Sequence, residues 1–115
     1  MYQPGLHILI DFHAQSPILS DMEGYRNCIQ HLINKHELNT LGEVFHKFEG
    51  FGFTAVSCLT ESHISIHTWP EYERATFDVF LSNYQKVNDQ TAATICSALL
   101  EYFQAEVINR TEVRR

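Results

Sequence analysis

The groups able to do chemistry in this chain are concentrated between Cys58 and Tyr72, where the sequence reads CLTESHISIHTWPEY. A Glu61-Ser62 pair is followed by two histidines, His63 and His67, and by the turn residues Trp69-Pro70-Glu71. A plain strand-turn-strand needs none of these groups. Alternation with Ile64 and Ile66 places His63, Ser65 and His67 on the polar face of a half-buried strand. Histidine is a common metal ligand, but residues i and i+4 of a strand hold their rings about 13 Å apart. No cysteine or third ligand is near in sequence, so no metal site is expected.

The run ESHISIHTWPE, residues 61 to 71, resembles the self-cleavage signature of the short bacterial and archaeal S-adenosylmethionine decarboxylases, pyruvoyl-dependent enzymes of spermidine synthesis. Eleven consecutive residues of this composition are a specific signal. The likeness extends upstream through FHKF (45 to 48) and GFTAV (52 to 56), downstream through DVF (78 to 80), and more loosely to LHILIDF at the start. It covers most of the chain. A decarboxylase must take up the electrons left by departing CO₂, and a carbonyl that forms an imine with the substrate amine does so where no ordinary side chain can.

The resemblance implies that the chain makes this carbonyl from its own backbone. Ser62 Oγ would attack the Glu61 carbonyl to give an ester, and loss of the Ser62 Cα proton would eliminate the upstream chain as a carboxylate. The remaining dehydroalanine would hydrolyse to a pyruvoyl group, the covalent cofactor. One domain spanning residues 1–115 would thus yield a β chain, 1–61, and an α chain, 62–115. By the same resemblance His67 matches the processing histidine, and Thr54 stands where a hydroxyl assists the oxyanion-like intermediate. Phe48 would stack on the adenine of S-adenosylmethionine, with Glu71 near the ribose hydroxyls or the sulfonium; an electron-rich ring and a carboxylate suit a cationic nucleoside. Ser62 and His67 are five apart and face opposite sides of an ideal strand, so Ser62 belongs in the turn before it, or a bulge intervenes. A strained turn there would favour the acyl shift.

Two positions depart from the family pattern. Members usually continue from DVF into a Thr-Cys-Gly-like stretch whose cysteine protonates the carbanion after CO₂ leaves; here Leu81-Ser82-Asn83 follows, with Ser82 in the place of the cysteine. A thiol has a pKa of about 8.5 and an alcohol is a far weaker acid, so Ser82 is a poor direct donor. The first loop carries Asp11-Phe12-His13-Ala14 where Tyr-Gly-Cys commonly follows the aspartate. Three readings remain: an S-adenosylmethionine decarboxylase using Ser82, water or a histidine as donor; a member acting on another amino acid such as ornithine or arginine; and a non-catalytic relative that binds a ligand or an active partner subunit.

The elements that must position these groups follow from periodicity. LHILIDFH (6 to 13) reads as a strand, and Ser20-Asp21-Met22-Glu23 has the spacing of a capping box opening a helix that ends near His36. Met22, Tyr25, Cys28, Ile29, Leu32 and Ile33 form its packed face. From Leu41 the period becomes two, and a hairpin turns at Glu49-Gly50-Phe51-Gly52 into a strand over 53 to 59. Strands over 63 to 68 and 75 to 81 follow, then a helix capped by Asn88 or Asp89 with Ala92, Ile95, Leu99, Tyr102 and Phe103 on its buried stripe, and a short strand over 105 to 109. This pattern predicts an α+β two-layer sandwich, an antiparallel sheet with two helices on one face. The other face must meet water or a partner, and with Phe12, Phe48 and Phe80 placed on it a homodimer is expected.

Length and composition agree. The chain has 115 residues, 44% of them apolar, which suits one domain and excludes disorder. Eight basic against fourteen acidic side chains leave a charge of −6 and no broad basic face, so nucleic acid is not an expected partner. The locally basic Arg110, Arg114 and Arg115 read as a frayed terminus. No apolar run approaches the roughly 20 residues of a membrane span, and MYQPGLHILIDFH has no basic region before its apolar stretch, so a cytoplasmic protein with no membrane partner is expected. Cys28, Cys58 and Cys96 are isolated, as for reduced thiols in buried packing.

Overall fold

Alternation along the strands decides the architecture. The computed structural model describes all residues, 1–115. In chain order it has β1 (Leu6–His13), α1 (Ser16–Leu19), α2 (Met22–Lys35), β2 (Thr40–Lys47), β3 (Phe53–Leu59), β4 (Ser62–Trp69), β5 (Arg74–Leu81), α3 (Asp89–Phe103) and β6 (Glu106–Arg114), with a 3-10 turn at Pro70–Tyr72. Every pairing is antiparallel, in the order β2-β3-β4-β5-β1-β6. Leu6, Ile8, Ile10 and Phe12 of β1, Ile64 and Ile66 of β4, and Ala75, Phe77, Val79 and Leu81 of β5 are all buried on one face. On them pack Tyr25, Ile29, Leu32 and Ile33 of α2 and Ala92, Ile95, Cys96, Leu99 and Phe103 of α3. The expected α+β two-layer sandwich is the observed fold, and no helix is long and apolar enough to cross a membrane.

The opposite face is uncovered. It carries Leu9, Val44, Val56, Trp69 and Val113, all exposed, together with His63, His67, Asp78 and Phe80. Phe12 is not among them. It is fully buried on the helix side against Phe77 and Phe103, because β1 keeps its alternation through Ile8 and Ile10.

Three other expectations are corrected. The capping box does not form: Asp21 caps α2, its carboxylate accepting the Gly24 N–H at 2.9 Å. Ser20 instead donates to the Ser16 carbonyl, because the extra turn α1, with Pro17 in its first turn, ends with Ser20 as its C-cap. The arginine tail is not frayed. β6 pairs with β1 up to Arg114, and Gly5 and Arg115 exchange backbone hydrogen bonds of 2.7 and 3.0 Å beyond it. All nine β6 residues are exposed, so its charges sit on a sheet edge, where they discourage further strand pairing. Of the thiols, Cys96 is buried and pushed up to about 12 by that burial, and Cys28 is half-buried and also raised, but Cys58 is exposed, opposite His63 on the uncovered face.

Thr68 ties the far end of β4 to the rest. Its buried hydroxyl accepts the Phe53 N–H at 2.9 Å and donates to the Leu19 carbonyl at 2.8 Å, joining β3, β4 and α1 through one oxygen. Thr68→Val keeps the volume and strands both backbone groups, so urea denaturation should report a loss of about 2 kcal/mol, whereas Thr68→Ser should cost less than about 1 kcal/mol. Equal losses would show that the methyl, not the hydroxyl, holds this junction.

Candidate active site

Ser62 opens β4 immediately after a tight turn. Leu59 pairs with Ser62, so Thr60 and Glu61 alone reverse the chain. Glu61 has φ 56°, in the left-handed region that costs a non-glycine residue about 1 kcal/mol or more. Asn39 holds the turn: its carbonyl accepts the Thr60 N–H at 3.1 Å and its amide donates to the Thr60 hydroxyl at 3.0 Å. Across the turn, Ser62 Oγ accepts the backbone N–H of Ser82, just past β5, at 3.0 Å. The Ser82 carbonyl in turn accepts from the Asn88 side chain at 2.8 Å, and the Asn88 N–H donates to Asn83 Oδ1 at 2.7 Å. Glu61, Ser62, Ser82, Tyr84 and Asn88 line a groove of about 570 Å³.

Four other side chains named from the sequence gather at the opposite end of β4. Thr54 and His67 are register partners, and Thr54 Oγ1 lies 2.9 Å from His67 Nδ1. Phe48, Thr54, His67, Trp69 and Glu71 line a groove of about 410 Å³, with Glu71 carried on the 3-10 turn after β4. The seven candidates therefore form two groups: Glu61, Ser62 and Ser82 in one, and Phe48, Thr54, His67 and Glu71 in the other. Ser62 and His67 are five residues apart on a strand of unbroken register, about 17 Å at the usual rise, and on opposite faces. Neither the expected turn position nor a bulge is observed: Ser62 is the first residue of β4, paired with Leu59, and the register runs without a shift to His67, so the two stay apart.

Sequence reasoning missed a third group, on the uncovered face beside Ser62. The Asp78 carboxylate receives His7 Nε2 at 2.6 Å, His63 Nε2 at 2.8 Å and the Ser65 hydroxyl. Burial pushes the Asp78 pKa up, but the hydrogen bonds from Ser65, His7 and His63 outweigh it and hold the group below the usual carboxylate range. Arg115 Nη1 lies 3.3 Å from His7 Nδ1, which makes that nitrogen the acceptor and Nε2–H the donor to Asp78. The missing signal was available: period two puts His7 opposite Ile8 and Asp78 opposite Val79. Only strand order makes β1 and β5 neighbours.

A serine hydroxyl that directly follows a left-handed residue can attack that residue's carbonyl, and a hydrogen-bonded hydroxyl–imidazole pair can donate to an oxyanion or accept a proton. Residues 6–115 match the family described as S-adenosylmethionine decarboxylase. Among curated proteins, the chain is 34% identical to an S-adenosylmethionine decarboxylase proenzyme of Thermodesulfovibrio yellowstonii, over 100% of this chain and 83% of that one. It is 38% identical to the proenzyme of Acetivibrio thermocellus, over 96% and 87%. Its fold superposes on the crystal structure of the adenosylmethionine decarboxylase from Aquifex aeolicus with a TM-score of 0.80 at 24% identity, covering 100% and 91%. The chain thus belongs to the S-adenosylmethionine decarboxylase family.

Proposed function

We propose that this chain is a self-cleaving proenzyme that decarboxylates S-adenosylmethionine for polyamine synthesis, split between Glu61 and Ser62. The observation that carries this reading is the left-handed Glu61 in a two-residue turn whose next residue is a serine. Ser62 Oγ–H adds to the Glu61 carbonyl, the C–N bond breaks, and the proton passes to the freed amine. Removal of the Ser62 Cα proton then breaks the Cβ–Oγ bond and releases Glu61 as a carboxylate. Hydrolysis of the remaining enamine releases ammonia. The local residues suit a pyruvoyl group at this position: it would begin β4, at the mouth of a groove shared with Ser82. Once formed, that group supplies the carbonyl that condenses with the substrate amine and accepts the electrons left by CO₂.

The division of the candidates into two groups supports a homodimer. A second copy packed on the uncovered face and reversed along β4 would carry its own Thr54 and His67 toward Ser62. Leu9, Val44, Val56, Trp69 and Val113 give that face the apolar surface such a contact needs. The exposed Phe48 ring and the Glu71 carboxylate would then meet the adenine and the cationic end of the nucleoside.

Ser62→Ala should leave one uncleaved chain by mass spectrometry, as should His67→Gln. Co-expressing the two variants should restore cleavage of the chain that keeps Ser62. No restoration would sink the shared site, and a full-length wild type after long incubation would favour the non-catalytic relative.

The left-handed turn makes its own prediction. Glu61→Gly relieves about 1 kcal/mol of strain, so if the turn drives the acyl shift, cleavage should slow by roughly fivefold. An unchanged rate would assign that strain no role.

Ser82 bears on the reaction after cleavage. An alcohol in the place of a thiol reprotonates slowly, so Ser82→Cys should raise kcat on S-adenosylmethionine by up to about 10²-fold. If the thiol does nothing and CO₂ is released instead from ornithine or arginine, the substrate is that amino acid.

A further inference from the structure

Sequence spacing leaves His63 without a second ligand in its own strand, but the sheet supplies one from each of two others. The register β4–β5–β1 brings His63, Asp78 and His7 together on the uncovered face, one potential ligand atom of each lying within 4.8 Å of the others. His7 is buried, and the Asp78 side chain is 22% exposed, so the cluster is set into the face and not scattered over it. The cleavage chemistry proposed above uses none of the three.

We propose that His7, His63 and Asp78 form a binding site for a zinc-class divalent cation. Two imidazoles and one carboxylate are a borderline-soft donor set, the kind that takes zinc with three protein ligands and leaves a fourth position to water. Magnesium and calcium require mostly oxygen, and the oxygens here are those of Asp78 and the Ser65 hydroxyl. Metal–ligand bonds of about 2.0–2.1 Å in tetrahedral geometry set ligand atoms about 3.3 Å apart. The present Nε2–Oδ2 separations of 2.6 and 2.8 Å are hydrogen bonds, and an opening of well under 1 Å converts them to ligand spacing. Ser65, donating to the other carboxylate oxygen, orients Asp78 from behind.

Proton placement gives the site a signature. In the metal-free cluster both imidazoles donate Nε2–H to Asp78, so each must vacate Nε2 to bind a cation and carry its proton on Nδ1. For His63 nothing opposes this. For His7, Nδ1 faces the Arg115 guanidinium at 3.3 Å, so that side chain must turn away first. Arg115 therefore competes with the cation, although it is not a ligand.

The test is titration of the full-length, chelator-stripped protein with Zn²⁺ near neutral pH, followed by calorimetry and by the visible absorption of Co²⁺ as a probe of ligand geometry. One equivalent per chain should bind, with the intense tetrahedral Co²⁺ bands. His63→Gln, His7→Gln and Asp78→Asn should each weaken binding at least tenfold, Ser65→Ala should weaken it about tenfold, and His31→Gln on the exposed side of α2 should leave it unchanged. Arg115→Gln should tighten it severalfold, and this variant together with the wild-type Co²⁺ spectrum decides the matter if the ligand variants fail to fold. No binding, binding indifferent to the ligand variants, Mg²⁺ binding as tightly as Zn²⁺, or Arg115→Gln weakening the site would each overturn the proposal.

Discussion

A β-strand without a bulge cannot turn a side chain from one face to the other, and β4 runs from Ser62 to Trp69 in unbroken register. That constraint organises the molecule. Ile64, Ile66 and Thr68 must face the helices if the core is to close, so His63, Ser65, His67 and Trp69 must face away from them. Ser62 has the parity of the core residues and escapes full burial only because it is the first residue of the strand. A serine at the turn and a histidine five residues later thus belong to different ends and different faces, and no rotamer reunites them. The apolar surface left on the uncovered face and the split of the candidate residues are two consequences of the same alternation.

Both ends of β4 lie beside connections able to carry chemistry. At one end the two-residue turn Thr60-Glu61 lies next to the segment after β5, where Ser82, Asn83 and Asn88 are tied together by side-chain hydrogen bonds to backbone groups. At the other end the β2–β3 hairpin brings Phe48 beside the 3-10 turn that carries Glu71, and Thr68 locks that end to α1. A rigid sheet between two structured ends is a good frame for a reaction needing fixed distances.

Most of the fold could be read from period alone. β1, β3, β4 and β5 fall within a residue or so of their expected limits, because apolar residues recur at every second position on the side facing the helices, with Ser57, Ser62 and Thr68 the exceptions. β6 runs beyond its expected end at 109 to Arg114 because EVINRTEVR mixes charges with Val and Ile on a strand that no helix covers, so burial leaves no mark on it. α2 starts one residue later than expected because Ser20 and Asp21 are both good caps, and only the turn Ser16–Leu19 decides between them. The resemblance named the candidates at both ends of β4, because Glu61, Ser62, His67 and Glu71 fall in one contiguous run and Phe48, Thr54 and Ser82 in or beside its flanking segments. It was silent on the His7–Asp78–His63 cluster, whose members come from three strands and become neighbours only through the order β4-β5-β1.

Magnitudes show what the turn can and cannot do. A left-handed glutamate stores about 1–2 kcal/mol, which is a factor of ten or so in rate. A missing oxyanion donor alone costs about 10² to 10³. Strain at Glu61 can therefore bias the acyl shift but cannot carry it. Among the chain's own polar groups, Ser62 Oγ already accepts the Ser82 N–H, which restrains the hydroxyl without polarising the Glu61 carbonyl. The Thr54–His67 pair has the composition to supply what is missing, a hydroxyl for the oxyanion and an imidazole for the Cα proton, yet it lies at the far end of the strand. In the proposed homodimer the larger share of the acceleration comes from the second copy's Thr54–His67 pair, and the strained turn presents the carbonyl to it.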